Sequence, residues 1–309
     1  MLSLPAVAIQ QLIMIFQTVV LSVLLCSVHT FTLQTRRLQT EKSDENSGNT
    51  FEDEELSISE LIEKANVNVG KNSDDPLLMF GDIVVPTGLQ NADRCTGRNP
   101  GCLWRKASDG NVYVPYRISR QYSQREKNKI KEGLRSFEES TCIRFRRRNN
   151  TDIDFLNITS LSGCFSSVGR RGGEQRLSLK RRSCISKRTI QHELLHALGF
   201  HHEQNRSDRD EHVRIQLENV IEGKEHNFKI RDTNNLRTPY DYNSVMHYGR
   251  TAFSSNGRAT IVPIPDENVS IGRATTMSAN DILRVNRLYR CNVTATKPAM
   301  KPVKKNQVF

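Results

Sequence analysis

The first 31 residues of the chain contain no Lys, Arg, Asp or Glu, no two cysteines stand in C-x-x-C spacing, and no segment repeats. The uncharged start excludes an ordinary soluble element. The apolar run from Leu12 to Cys26 is about 15 residues long, the size of a signal-peptide core and short of the ~20 residues that cross a bilayer. Residues 1–30 are therefore read as a cleaved signal, an uncleaved membrane anchor being the alternative. Without C-x-x-C pairs there is no structural zinc knuckle of the usual spacing. The 309 residues could hold two ordinary domains or one main domain of about 200 residues with removable or flexible segments, and hydrophobic periodicity favours the second.

What is present supports export. Removing Cys26 with the signal leaves Cys95, Cys102, Cys142, Cys164, Cys184 and Cys291, an even set that suggests three disulfides whose pairing spacing alone does not decide. N-x-S/T triplets start at Asn149, Asn157, Asn205, Asn268 and Asn292, consistent with a secretory route. Charge is divided by region: residues 32–90 hold twelve acidic and five basic side chains, net −7, which against the overall +11 leaves +18 for residues 91–309. An acidic leader on a basic domain favours their association at low salt. Basic clusters such as Arg144 to Arg148 and Lys180 to Arg182 suit acidic proteins or surface glycans; in a disulfide-rich secreted chain no nucleic-acid partner is expected.

Residues 32–75 read as a mostly extended leader with one short amphipathic stretch, Leu56 to Ile62, and order is expected to begin near Leu77. A domain boundary is placed close to residue 90. Strands are expected at Val112–Ile118, Cys142–Arg147, Ile153–Ile158 and Arg176–Leu179, from their alternation of apolar and polar residues. Helices are expected at Ser123–Glu139, Ser186–His201, Val213–Phe228 and Ser278–Tyr289. The chain thus divides into a signal (1–30), a leader (31–90), a main domain (91–291) and a flexible basic tail (292–309).

The chemistry centres on His192-Glu193-Leu194-Leu195-His196-Ala197-Leu198-Gly199-Phe200-His201-His202-Glu203. On a helix, His192 and His196 lie one turn apart on one face and can grip one tetrahedral ion. Glu193 then stands beside the metal, placed to take a proton from water and pass it to a leaving amine. Gly199 can adopt φ > 0, end the helix and turn His202 toward the same metal. Three neutral imidazoles leave a fourth position open, as a catalytic rather than structural zinc requires. His201 reads as a core residue. Downstream, Ser244-Val245-Met246-His247-Tyr248-Gly249 places Met246 as an apolar floor and Tyr248 as a phenol able to bind zinc or hydrogen-bond an oxyanion. His247 faces the other way and is not expected to be a ligand.

The run Thr189 to Asp210 with the Ser-Val-Met-His-Tyr-Gly turn resembles the signature of the astacin family, the likeness covering residues 77–291. That resemblance implies an α+β metzincin catalytic domain, with a twisted sheet and two long helices in the N-terminal half, an irregular C-terminal half and a cleft between. It implies one zinc per chain on His192, His196 and His202, Glu193 as general base and Tyr248 near the metal. It further implies Glu203 as the acceptor of the mature amino terminus, and Asp82 of Gly81-Asp82 as the propeptide carboxylate on zinc. The family's usual Phe-x-Gly-Asp is altered here, Met79 standing where Phe is expected. The same likeness pairs Cys142 with Cys291 and Cys164 with Cys184, leaving Cys95 and Cys102 for a small loop. That loop is similar to the six-cysteine fish group of hatching-enzyme-like and nephrosin-like proteases, with the mature chain beginning near Asn91.

The expected activity is hydrolysis of internal peptide bonds in extracellular proteins by a secreted enzyme, whether egg-envelope, tissue or mucosal. The propeptide acts as inhibitor and a second protease as activator, and nothing stays inserted in a membrane after signal removal. The alternative class is a secreted zinc-binding protein without catalysis, against which Glu193 argues, since a pure binder has no use for a base beside an open metal position.

Overall fold

In a computed structural model, which describes residues 56–85 and 100–292, helix α1 spans Ile58–Asn66 within the stretch that reads as extended leader. Ser57 and Glu60 form a reciprocal capping box, and Ile58, Leu61, Ile62 and Ala65 are buried. These four recur at helical spacing. A helix of nine residues is marginal in water by itself, so composition points to extended chain; contact with the domain decides otherwise. Order therefore begins well before Leu77. The signal, the leader up to residue 55, residues 86–99 with Asn91 and Cys95, and the tail beyond Asn292 lie outside the described residues, and with them the ends of the expected domains and the Cys95–Cys102 pair. Among the described residues no helix is long and apolar enough to cross a membrane.

After a two-strand ribbon, β1 (Leu78–Met79) with β2 (Ile83–Val84), the domain builds a five-stranded sheet. Its strands are β3 (Val112–Ile118), β4 (Ile143–Arg147), β5 (Phe155–Thr159), β6 (Cys164–Phe165) and β7 (Glu174–Leu179), in spatial order β4-β3-β5-β7-β6. The pairs are parallel except β6 with β7. One face is packed by α2 (Gln124–Arg135) and α3 (Lys187–Ala197). Ile130, Leu134, Ile190 and Leu194 from the helices meet Val112, Val114, Ile143, Leu156, Ile158 and Leu177, all at most 2% exposed, in one core. At the β4 edge the Arg144 guanidinium donates to the carbonyls of Thr141 and Ile143, which blunts that edge against pairing with another chain. Beside the other edge strand, β6, Ser166 bridges to Ile83 of the β1–β2 ribbon.

Beyond α3 regular structure thins as expected, but not in the expected way. The segment from Val213 to Phe228 is not a helix: Val213–Ile215 form β8, antiparallel to β9 (Ile261–Pro263), followed by short 3-10 turns at Leu217–Asn219 and Glu225–Phe228. Val213 is buried, Arg214 exposed and Ile215 half-buried, a period-two pattern too short to outweigh the helical reading. Its partner strand lies far along the chain. The last helix, α4 (Ala279–Leu288), starts at the Ser278 cap. Two bridges, Cys142–Cys291 and Cys164–Cys184, join the start of β4 to the end of the domain and β6 to the loop before α3.

Candidate metal centre

Helix α3 is capped by Ser186, whose hydroxyl accepts from Thr189 N, and it carries His192, Glu193 and His196 in its buried last two turns. Its C-terminal carbonyls, which a helix leaves unpaired, are taken by side chains from elsewhere: Trp104 Nε1 donates to Ala197 O and the Tyr289 hydroxyl to Leu198 O. Gly199, at φ 110°, then turns the chain, its N–H bonded to His196 O and that of Phe200 to Leu195 O. A residue with a Cβ is strained at that φ. The turn delivers His202 back to the face that holds His192 and His196.

The three Nε2 atoms converge: His192 lies 3.2 Å from His196 and 3.2 Å from His202. Asp82, from the turn between β1 and β2, completes the group. Its Oδ2 is 2.9 Å from His192 Nε2, and its Oδ1 is 3.4 Å from His196 and 3.2 Å from His202. All four side chains are at most 2% exposed. His192 Nδ1 lies 2.8 Å from Val245 O and His196 Nδ1 2.8 Å from Phe200 O. A carbonyl only accepts, so both Nδ1 atoms carry a proton, and in the neutral ring this leaves Nε2 as the lone-pair nitrogen that faces the group. Burial pushes the His202 imidazole down to about 4, which leaves that ring neutral at pH 7. Lone pairs and a carboxylate this close repel one another unless a cation sits between them. The nitrogen-rich set, with two of its rings held by backbone carbonyls, suits zinc.

Glu193 is fully buried, and neither carboxylate oxygen has a hydrogen-bond partner among the described residues. Burial, and after it the charge of Asp82, hold this carboxyl well above the ordinary carboxylate range, a poise suited to proton transfer. Met246 is buried in the main core, and its turn is fastened to α4 by Asp281, which accepts from Ser244 Oγ and Val245 N. The Tyr248 ring centroid lies 4.6 Å from that of His202, but its hydroxyl donates to Phe80 O at 2.5 Å. In this structure the phenol thus serves a peptide carbonyl beside Asp82. His247 bonds Tyr240 and the Tyr248 carbonyl, away from the group as expected. His201 is half-buried, with its ring against Phe80 and no partner for Nδ1 among the described residues; there it joins neither the metal group nor a satisfied core.

The segment carrying Asp82 is held from several sides. Asn66, last in α1, donates to Gly81 O and Cys164 O and accepts from Cys164 N. Ser166 N donates to Asp82 O, and Val84 N to Ser166 O, so this segment pairs with the open β6 edge. Gly81 has φ 81°, and a Cβ there would come 3.1 Å from the Tyr248 hydroxyl. Phe80, 3% exposed, packs with Ile83, Val168 and Met79. The aromatic anchor is supplied one residue later than the family pattern places it.

Glu203 lies in a buried ion-pair cluster. Its carboxylate is already engaged: Arg284 binds it through both nitrogens at 2.6 and 2.8 Å, Arg206 lies at 3.3 Å, and Asp241 N donates at 2.7 Å. Burial lifts the carboxyl to about 7 against the pull of Arg284 and Arg206. A cavity of about 330 Å³ beside it is lined by Phe200, His201, Glu203, Arg206 and Arg284. Nothing local in the sequence marks Arg284 or Asn66, because each acts on a partner distant along the chain, and the local capping box of Asp281 with Ser278 does not reveal its hold on Ser244 and Val245. Arg284→Met leaves a buried carboxylate with only Arg206 for charge. The expected loss is about 3 kcal/mol, the lower end for a broken buried pair, seen as a fall in Tm; an unchanged Tm would mean that the pair is not structural.

The family model for the astacin peptidases matches residues 103–290. The chain is 52% identical over 221 residues to High choriolytic enzyme 1 of Oryzias latipes, covering 71% of this chain and 80% of that protein. To the Low choriolytic enzyme of the same fish it is 46% identical over 255 residues, covering 82% and 93%. The solved structure of High choriolytic enzyme 1, a hatching enzyme zinc-protease from the medaka fish, matches with a TM-score of 0.60 and 54% identity, over 62% of this chain and 96% of that one.

Proposed function

The chain belongs to the astacin family of peptidases and is a zinc metalloendopeptidase; from that premise we propose that it is secreted as a zymogen and cleaves extracellular proteins. The observation that carries this reading is the convergence of three imidazoles, two of them held by backbone carbonyls, with Asp82 in one buried group. His192, His196 and His202 are the residues that would hold zinc, with Asp82 in the place water needs. Zinc bound there supplies Lewis acidity to the scissile carbonyl and to the attacking water. Glu193 takes the water's proton and returns it to the leaving nitrogen as the C–N bond breaks. Its unpartnered, desolvated oxygens support that role. The Tyr248 hydroxyl, donating to a peptide carbonyl in the precursor, donates to the substrate's developing oxyanion once the segment around Phe80 has left.

Removal of the leader past Asp82, near residue 90, frees the β6 edge for an extended substrate strand. The cavity beside Glu203 gives room for the new amino terminus, with charge at that carboxylate already balanced by Arg284. The choriolytic relatives suggest egg-envelope protein as the substrate class. The test uses the secreted, processed chain and casein: activity should disappear on chelation, return with added zinc and be absent in the precursor. Full activity after verified loss of zinc would sink the proposal.

A further inference from the structure

We infer that Asn149 carries an N-linked oligosaccharide while Asn205 does not, an inference that rests on the secretory reading above. The described residues separate the sequons by chemistry. Asn205 is 0% exposed, and its Nδ2 donates to Asn227 O and Lys229 O. Replacing an amide hydrogen with a sugar there removes a hydrogen bond and demands space inside the domain, so a folded chain cannot carry it. Asn157 sits mid-strand in β5, half-buried, with Nδ2 bonded to Glu174 Oε1 at 2.7 Å. Asn268 is exposed, but its Nδ2 points back to Asp266 Oδ1.

Asn149 differs from all of these. It is exposed at the turn between β4 and β5, and its Nδ2 has no partner among the described residues. Its Oδ1 accepts three hydrogen bonds, from Thr151 N at 3.0 Å, Thr151 Oγ1 at 2.7 Å and Asp152 N at 3.0 Å. The sequon's own hydroxyl thus binds the acceptor amide, whereas that of the Asn157 sequon, on Thr159, binds Gln121. Three donors on Oδ1 draw electron density from the amide and make an Nδ2 proton easier to lose. The turn involves only residues 149–152, an asparagine side chain closing on its own backbone, so a nascent chain can form it before the sheet exists. In the transfer, Nδ2 bonds to the anomeric carbon of a lipid diphosphate-linked oligosaccharide, the carbon–oxygen bond to the diphosphate breaks with its electron pair, and one amide proton leaves. The glycan stands beside the β4 edge and adds bulk where the chain already blunts pairing with arginine.

The experiment is peptide mapping of the full-length chain collected from the medium of a eukaryotic secretory host, after enzymatic deglycosylation in heavy-oxygen water. Asn149 should appear as labelled Asp and Asn205 as unlabelled Asn. Thr151→Ala should abolish the label at position 149 and Thr151→Ser keep it, with the Cys142–Cys291 and Cys164–Cys184 bridges intact in both. An unlabelled Asn149 in protein with both bridges formed would overturn the proposal alone, as would a labelled Asn205 in active enzyme. A chain retained in the cell, with reduced cysteines and no label at any sequon, would overturn the secretory reading and this proposal with it.

Discussion

Asp82→Ala should give a full-length, uncleaved precursor that hydrolyses casein. Asp82 is the only carboxylate in the buried group, and its two oxygens lie 2.9 to 3.4 Å from the three imidazole nitrogens. A charge-assisted contact of this kind is worth about 1.5–3 kcal/mol, which corresponds to roughly a tenfold to hundredfold rise in the fraction of precursor whose site admits water and substrate. The rise should stop short of the processed enzyme's activity. Asn66 still ties Gly81 to Cys164, and Ser59 and Glu63 of α1 still accept from Gly249 N and Phe253 N. The comparison is the initial rate of the uncleaved variant, its length confirmed by mass spectrometry, against uncleaved parent and processed enzyme. If the variant precursor stays as silent as its parent, inhibition comes from the covering of the cleft by the leader, and Asp82 is incidental.

In the processed enzyme, Glu193→Gln should lower kcat/KM by about 10²–10⁴-fold, the range for loss of a positioned acid–base, while zinc content stays at that of the parent. Gln keeps the shape of the side chain and removes its basicity. The side chain bonds no other described residue, so its exchange disturbs no hydrogen bond among them, and the desolvation cost of a buried carboxyl is relieved. The expected result is therefore an inactive protein at least as stable as the parent. A loss of only a few-fold would remove Glu193 from the proton transfer, and a parallel loss of zinc would move its role to holding the metal group together.

The features legible along the chain are those whose cause is local. His192 and His196 share a face because a helix repeats every 3.6 residues, and Ser186, Ser123 and Ser278 mark helix starts because their hydroxyls accept from backbone three residues on. Gly199 marks a reversal because only glycine takes its backbone angle without strain. The composition of residues 32–75 misleads for the converse reason: α1 is too short and too polar to hold itself, and forms by laying Ile58, Leu61, Ile62 and Ala65 on a surface made elsewhere. The false helix at Val213–Phe228 fails in the same way, β8 existing only through β9.

The sequence by itself determined the helix that bears the metal-binding pattern, its caps and its turn, and through the family likeness a zinc endopeptidase, because these depend on contacts within a few residues. Tertiary structure alone decided which distant groups complete the centre: the Val245 carbonyl that sets the His192 tautomer, the Asn66 amide that holds Gly81, the Phe80 carbonyl that takes the Tyr248 hydroxyl, and the Arg284 guanidinium on Glu203. Each joins side chain to backbone or side chain across 15 residues or more, where no spacing rule applies. Burial at the meeting point makes such contacts strong enough to matter.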